Sequence, residues 1–468
     1  MTALVWFRRD LRIADNPALA AAAASGQPVV AVYILSTNNK ASIGSASRVW
    51  LHASLSDLRE SLLNLGVDLI FQCGPPSEIL RDLCAHLRVS ALHWNREYDP
   101  AAIEDAVAVK RDLGHEVSCH SYPSRLLAEP FNFKNKSGNP YRVFTPFWKT
   151  LFDSAQAVSV ETIAPDWRQD RLPGIDSRLE DLALLSGHPW EEKIRKYWQI
   201  GEVGAWRQFD TFLEGAITNY DEKRDLPAVA GTSKLSPYLH FGEISVRRIW
   251  QRLLLGMEGF EFSGNESAVQ GWLRQLGWRE FSHHLLFHFP DSATQALNPK
   301  FANMAWLNNN ELVSLWQRGQ TGYPLVDAGM RELWTTGWMH NRVRMVVASF
   351  LTKHIGADWR EGAEWFWDTL IDADMANNTM GWQWVAGCGA DAAPYYRIFN
   401  PTRQSEKFDG TAEYIRRWVP ELAALGNKEI HAPSQANLVE KNISYPLPCV
   451  DHKQAREAAL VRYQSIKS

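Results

Sequence analysis

Five apolar runs recur through the first 130 residues with helical stretches between them: LVWF from Leu4, VVAVYIL from Val29, DLIFQC from Asp68, SALHW from Ser90 and EVSCHSY from Glu116. No other feature restricts the fold as strongly. Strands that alternate with helices are joined by crossovers, which predicts a mostly parallel, Rossmann-like α/β sheet covered by helices. The first crossover is well marked, because Asp15 or Asn16 can cap a helix that holds Pro17 in its first turn and stops at Gly26. No GxGxxG follows the first strand and no GxxxxGK[ST] occurs anywhere, so the usual backbone cradles for a dinucleotide or a triphosphate are missing.

Beyond residue 130 the pattern changes. Prolines, polar residues and isolated aromatics mark an interdomain connection over 131–187, with short helices in it. From 188 to 468, apolar positions recur at three- and four-residue spacing, as in VQGWLRQLGWREFSHHLLFHF and ELWTTGWMHNRVRMVVASFLTKH, which predicts an all-α domain. The 468 residues therefore divide into an α/β domain over 1–130, a linker and a helical domain over 188–468.

A net charge of −4 excludes a generally basic nucleic-acid coat, so any contact with a phosphate backbone must come from a local patch. The five cysteines, Cys73, Cys84, Cys119, Cys388 and Cys449, contain no CxxC, which argues against a disulfide framework and for a reducing compartment. No stretch approaches the ~18 apolar residues of a membrane span. The chain reads as cytoplasmic, without a membrane partner.

Several segments carry polar chemistry. In GTSKLSPYLHFGEIS, Thr232, Ser233 and Ser236 surround Lys234 at a helix start, where hydroxyls, backbone amides and an ammonium could hold a diphosphate or simply cap the helix. Arg344 and Asp372 lie inside apolar helices and each needs a partner. LIDADMANNTMGWQW gathers Asp372, Asp374, Asn377 and Asn378 without a histidine, which favours hydrogen bonds to a polar cofactor over a transition metal. His284 and His288 have metal-ligand spacing, but no third ligand is indicated, so they read as histidines at a core edge and no metal is expected. GxSxG is absent. Of the 21 tryptophans, 13 follow residue 234. Packing is the default role, taken for Trp250, Trp316, Trp334 and Trp365, while rings in series can also carry an electron and exposed rings can stack on bases.

Seven motifs in order, WFRRDLRIADNPAL, GTSKLSPYLHFGEIS, WLRQLGWREF, TGYPLVDAGMREL, TGWMHNRVRM, LIDADMANNTMGWQW and DAAPYYRIFNPTRQSEKFD, make the sequence similar to the photolyase/cryptochrome family over nearly its whole length. The resemblance implies an antenna α/β domain, a helical domain holding folded-back FAD, and light-driven electron transfer. Matching positions assign FAD binding to Tyr220, Thr232, Ser233, Lys234, Leu235, Ser236, Trp272, Arg279, Arg344, Asp372, Ala373, Asp374 and Asn378. Asn378 would face flavin N5, a place that holds aspartate or cysteine in signalling members. Trp382, Trp359 and Trp306 match the relay that photoreduces FAD.

For the substrate, UV-damaged DNA containing a pyrimidine dimer, the matching positions are Gln275, Trp278, Asn341, Arg342, Met345, Trp384 and Gln404, with DNA attachment by Arg342, Arg397, Arg403 and Lys407. Six-four photoproduct enzymes have histidines where this chain has Asn341 and Met345, so the resemblance points to the cyclobutane dimer. Gln275 stands where many cyclobutane-dimer enzymes have glutamate; it can donate and accept but cannot supply a proton. GWREFSHHL is closest to the class III branch, related to plant cryptochromes. The antenna is expected to be methenyltetrahydrofolate, with a deazaflavin as the alternative, because WNREYDP from Trp94 does not reproduce the folate contacts of class I enzymes. An iron–sulfur cluster is disfavoured, since only Cys388 and Cys449 lie in the helical domain. The chain is expected to work as a monomer. A blue-light receptor is the competing function, against which stands the short segment of about sixty residues after EKFD.

Overall fold

The computed structural model describes residues 1–37, 43–155, 158–164, 166–172, 177–259, 261–392 and 396–467. Strands β1 (Thr2–Phe7), β2 (Val29–Ser36), β3 (Leu69–Gly74), β4 (Val89–Asn95) and β5 (Ser118–Tyr122) form one sheet in the order β3-β2-β1-β4-β5. Every neighbouring pair is parallel. The central strands are buried on both faces, which is why β1 and β2 read as unbroken apolar runs. Asn16 caps the first crossover helix, Pro17–Ala24, accepting from the Leu19 amide at 3.1 Å. Asp15 turns away with φ 52°, and its carboxylate accepts from Ser245 Oγ and, at 2.6 and 3.1 Å, from Arg247.

The chain forms two compact units, Met1–Glu214 with Ser233–Pro290, and Gly215–Thr232 with Asp291–Ser468. The sheet lies in the first, and the described residues after Tyr122 contain helices and no strand, in accord with the α/β and all-α division expected from the sequence.

The HFGEIS motif explains why Ser233–Pro290 belongs with the sheet. Leu11 donates to Phe241 O at 3.1 Å and Arg12 to Gly242 O at 2.8 Å. Gly242 has φ +70°, and a Cβ there would lie 2.1 Å from Arg9 O, so a side chain is excluded. Trp50 Nε1 donates to both Glu243 carboxylate oxygens at 3.1 Å, and the Gly201 amide adds a third bond at 3.2 Å. Burial pushes the Glu243 carboxyl up to about 8.

The helix Glu266–His288 continues this unit. His284 Nε2 accepts from the Tyr141 amide and His288 Nε2 meets Pro130 O, both at 2.9 Å, so the pair fastens residues 130–141 to the helix.

In the second unit the helices Pro324–Thr336, Asn341–Ser349, Trp359–Thr369 and Met375–Ala386 enclose a core that includes Trp316, Phe350, Trp359, Phe366 and Trp382. A π-helical turn, Phe350–Ile355, continues Asn341–Ser349. Trp250 and Trp316 are packing residues, both fully buried. Trp334 is not: it is 45% exposed and stacks on Trp365 at 6.1 Å, since a large ring gains much of its contact from one covered face. Among the described residues no helix is long and apolar enough to cross a membrane.

Candidate functional site

In the first unit, Trp272, Gln275 and Arg279 fall at i, i+3 and i+7 on the helix Glu266–His288, which puts them on one stripe with Trp278 beside it. Trp272 is buried between Phe209 and Phe212, at ring distances of 6.2 and 5.4 Å. Gln275 Nε2 donates to Gly271 O at 3.0 Å. Trp278 lies flat on Phe144, with centroids 3.5 Å apart and planes 7° apart. Arg279 donates to Arg125 O at 3.0 Å and to Glu280 Oε1 at 3.1 Å. Glu280 also accepts from the Leu127 amide at 2.8 Å, and burial raises its carboxyl despite the adjacent guanidinium.

Ser233–Leu235 lead into the short helix Ser236–Phe241. Leu235 points inward and is buried, Lys234 adopts φ 52°, and Lys234 and Ser236 are exposed, so hydroxyl and ammonium groups face outward around a fixed anchor. Gln208 Nε2 holds Ser233 O at 3.0 Å.

In the second unit Thr232 is half-buried, and Tyr220 is buried under Arg224, whose guanidinium lies 5.1 Å from the ring centroid. Burial raises the Tyr220 hydroxyl to about 12, so it stays protonated. Arg344 donates to Met339 O at 2.7 Å and to Asp372 Oδ2 at 2.9 Å; the two charges partner each other. Ala373 is buried beside them. Asp374 caps Met375–Ala386, accepting from the Asn377 amide and side chain at 2.9 Å. Asn378 Nδ2 donates to Ala363 O at 3.0 Å, which turns its carbonyl the other way.

Trp382 and Trp359 are each 2% exposed while Trp306 is half-buried, a gradient from core towards surface. Trp382 packs on Phe366 and Trp316, at 4.9 and 6.2 Å, and a Cβ on Gly362 would lie 2.0 Å from its ring. Its Nε1 is buried without an acceptor among the described residues.

Asn341 and Met345 open one helix at i, i+4 and so share a face. Trp384 is half-buried, with Nε1 donating to Asp391 O at 3.2 Å. Arg397 and Arg403 are exposed and Gln404 is half-buried; Arg403 is set by the cap Asn400, whose Oδ1 accepts its amide at 3.1 Å. Arg342 is differently placed from a free phosphate ligand. Its guanidinium makes two bonds to Asp225, at 2.7 and 3.2 Å, and lies 4.4 Å from the Phe408 ring centroid.

Sequence reasoning passed over three residues: Asp225, Glu280 behind Arg279, and Lys353. Lys353 is a lone charge within VVASFLTKHI, the same signal that singled out Arg344.

The deoxyribodipyrimidine photo-lyase of Agrobacterium fabrum is 43% identical over 473 residues, covering 99% of this chain and 98% of that protein. The chain belongs to the photolyase/cryptochrome family. Residues 3–166 match DNA photolyase and residues 272–465 match the FAD binding domain of DNA photolyase. A bacterial class III photolyase from Agrobacterium tumefaciens superposes with a TM-score of 0.92 at 43% identity, covering 100% of this chain and 98% of that chain. Cryptochrome-2 of Arabidopsis thaliana is 37% identical, covering 97% of this chain and 77% of that protein.

The residues fit the FAD that this family's domain binds. Asp372 is 7% exposed, and its Oδ1 has no hydrogen-bond partner among the described residues, leaving a buried acceptor for a cofactor donor. The carboxyl ends of β1 and β4 flank the topological switch of the sheet, a place where α/β sheets commonly bind ligands. Tyr33, Asn95, Glu97, Tyr98 and Arg125 are buried there, and Arg125 and Arg9 each approach Glu97 at 3.5 Å.

Proposed function

We propose that this chain splits cyclobutane pyrimidine dimers in DNA, with FAD held by Tyr220, Thr232–Ser236, Trp272, Arg279, Arg344, Asp372, Ala373, Asp374 and Asn378. The observation that supports this is the stripe on Glu266–His288, where Gln275, assigned to the dimer, lies between Trp272 and Arg279, assigned to the flavin, with Trp278, also assigned to the dimer, beside it. One helical turn is about 5.4 Å, so with these assignments lesion and cofactor would lie within short electron-transfer range.

Bound, reduced and photoexcited FAD supplies the electron that opens the dimer, and the residues supply geometry. Trp278, flat and fixed on Phe144, and Trp384 offer rings to an extruded dimer, and the amides of Gln275 and Asn341 offer donors and acceptors to its edges. With Nδ2 bound to Ala363 O, Asn378 would have its carbonyl free to accept from the N–H at N5 of a bound flavin. Arg397, Arg403, Gln404 and Lys407 serve the DNA strand, whereas Arg342 shapes the site through Asp225 and Phe408. We also propose an antenna, methenyltetrahydrofolate or a deazaflavin; no repair step depends on it.

The deciding experiment exposes a thymine-dimer oligonucleotide to the reduced, flavin-loaded protein in blue light and in darkness, with chromatographic readout. Restoration in light alone is expected, and its loss in Trp384→Ala would tie the pocket to the lesion. No repair despite reducible flavin, with turnover of a six-four substrate or none at all, would overturn the assignment.

Trp382 is proposed to feed the flavin through Trp359 from Trp306. A Trp382 oxidised in this way has no acceptor for its Nε1 proton among the described residues, which favours passing the positive charge outward to Trp359. Trp382→Phe is therefore expected to slow photoreduction of oxidised flavin by about tenfold or more while chemically reduced protein repairs within about twofold of wild type. Equal losses in both measurements would make Trp382 a packing residue.

A further inference from the structure

Trp359 opens the helix Trp359–Thr369 with a charged residue on each side of it in the chain, Asp358 and Arg360. Asp358 caps that helix, its Oδ1 accepting from the Arg360 amide at 3.0 Å. The Arg360 side chain is held by three further bonds: Nη1 donates to Asp358 Oδ1 at 3.1 Å and to Oδ2 at 2.8 Å, and Nε donates to Thr294 O at 2.6 Å. Together they fix the guanidinium 5.0 Å from the centroid of the Trp359 ring. The two charged side chains are 40% and 24% exposed, so water weakens their fields without removing them, while Trp359 itself is buried. The Leu307 amide donates to Gly356 O at 2.8 Å, which ties the residue after Trp306 to the segment leading into Asp358.

Over a neutral indole a guanidinium is favourable, because the face of the ring is electron-rich. The sign reverses once the ring has given up an electron. A positively charged Trp359 is opposed by Arg360 and by the positive end of its own helix, of which it is the first residue, and the carboxylate of Asp358 offsets both. Glu361 lies in the same first turn, and burial raises its carboxyl.

We propose that Asp358 and Arg360 set how readily Trp359 carries the charge of the relay, as positioning residues that act through its ring. The proposal rests on the relay of Trp382, Trp359 and Trp306 given above. Once Trp382 has lost one electron to photoexcited oxidised flavin, Trp359 gives it one, so Trp382 is restored and Trp359 becomes a radical cation. Trp306 then gives one electron to Trp359, and a thiol reductant in solution restores Trp306. No bond in the protein forms or breaks. Asp358 eases the first transfer by offsetting the charge that arrives, and Arg360 destabilises that charge on Trp359 and so favours the second.

The test is transient absorption of the flavin-loaded full chain carrying Trp306→Phe, in which the charge stops at Trp359 and recombines by way of Trp382. The lifetime of the tryptophan radical cation then reports the balance between those two rings. Adding Arg360→Gln removes the opposing cation and should lengthen that lifetime by about fivefold. Adding Asp358→Asn, which keeps an acceptor at the cap, leaves the cation without its offset and should shorten it by about fivefold. Both variants break the same ion pair, so a merely structural pair would give shifts in one direction, whereas opposite shifts follow only from the signs of the two charges. Retained flavin absorbance shows that the variants are folded. Equal lifetimes in both, or shifts in the same direction, overturn the tuning and leave the relay standing. If exciting the flavin of the unaltered chain gives no tryptophan radical, or one that Trp359→Phe leaves unchanged, the relay falls and the tuning with it.

Discussion

Asp372→Ala is expected to lose about 3 kcal/mol or more of stability, the lower end of the cost of breaking a buried ion pair, and to purify without flavin. Arg344 and Asp372 are 23% and 2% exposed, so the arginine keeps some contact with water while its partner has almost none. Removing the carboxylate leaves the guanidinium to Met339 O and the Trp338 ring, 5.8 Å away, with no other ion-pair partner among the described residues. It also removes Oδ1, the acceptor without a partner among the described residues. Asp372→Asn separates the two roles. It keeps the shape and one acceptor for Arg344 but places an amide where a cofactor donor needs an acceptor, so stability should fall less than flavin content. Denaturant midpoints and the flavin-to-protein absorbance ratio measure both; a stable, flavin-filled Asp372→Ala would remove the pair from the cofactor site.

Glu243 should give the chain a pH-dependent stability of comparable size. Its carboxyl is raised from about 4.5 to about 8, so the folded state keeps a proton that the unfolded chain releases across that window. The contribution is fully present below the lower value and is lost as pH rises towards the upper one, by roughly 5 kcal/mol in total. Glu243→Gln retains an acceptor for Trp50 and cannot titrate. Relative to wild type it should gain stability steadily between about pH 5 and pH 8, as urea midpoints would report. Parallel profiles would mean that Glu243 is ionised in the fold.

Much of this architecture could be read from residue order. Alternating apolar runs placed all five strands, and the cap before Pro17 fell to one of the two candidates, Asn16. Arg344 was recognisable because a charge amid apolar helix residues demands a partner, whereas Asp372, expected inside a helix, lies in the turn before Met375–Ala386, and the two meet across 28 positions. The same rule applied to Lys353, which is 1% exposed, would have singled it out as well. Other features had no local signal. Helical periodicity reports which face is apolar but not which element covers it, so the packing of Ser233–Pro290 with the sheet was invisible. The bond from Arg342 to Asp225 spans 117 positions, and nothing near Arg342 announces that its charge is already matched.

The network joining Arg12, Asp15 and Trp50 to Gly242, Glu243, Ser245 and Arg247 bears on how such chains can be recombined. Its two sides stand up to 232 positions apart, so a crossover in the intervening linker gives a hybrid one half from each parent. A hybrid in which either parent had altered one of these residues would leave a buried carboxylate or guanidinium without its mate. The stretch around residues 9–57 and the stretch 241–247 are thus inherited together or fail together, and linker length gives a misleading picture of where this protein can be cut and rejoined.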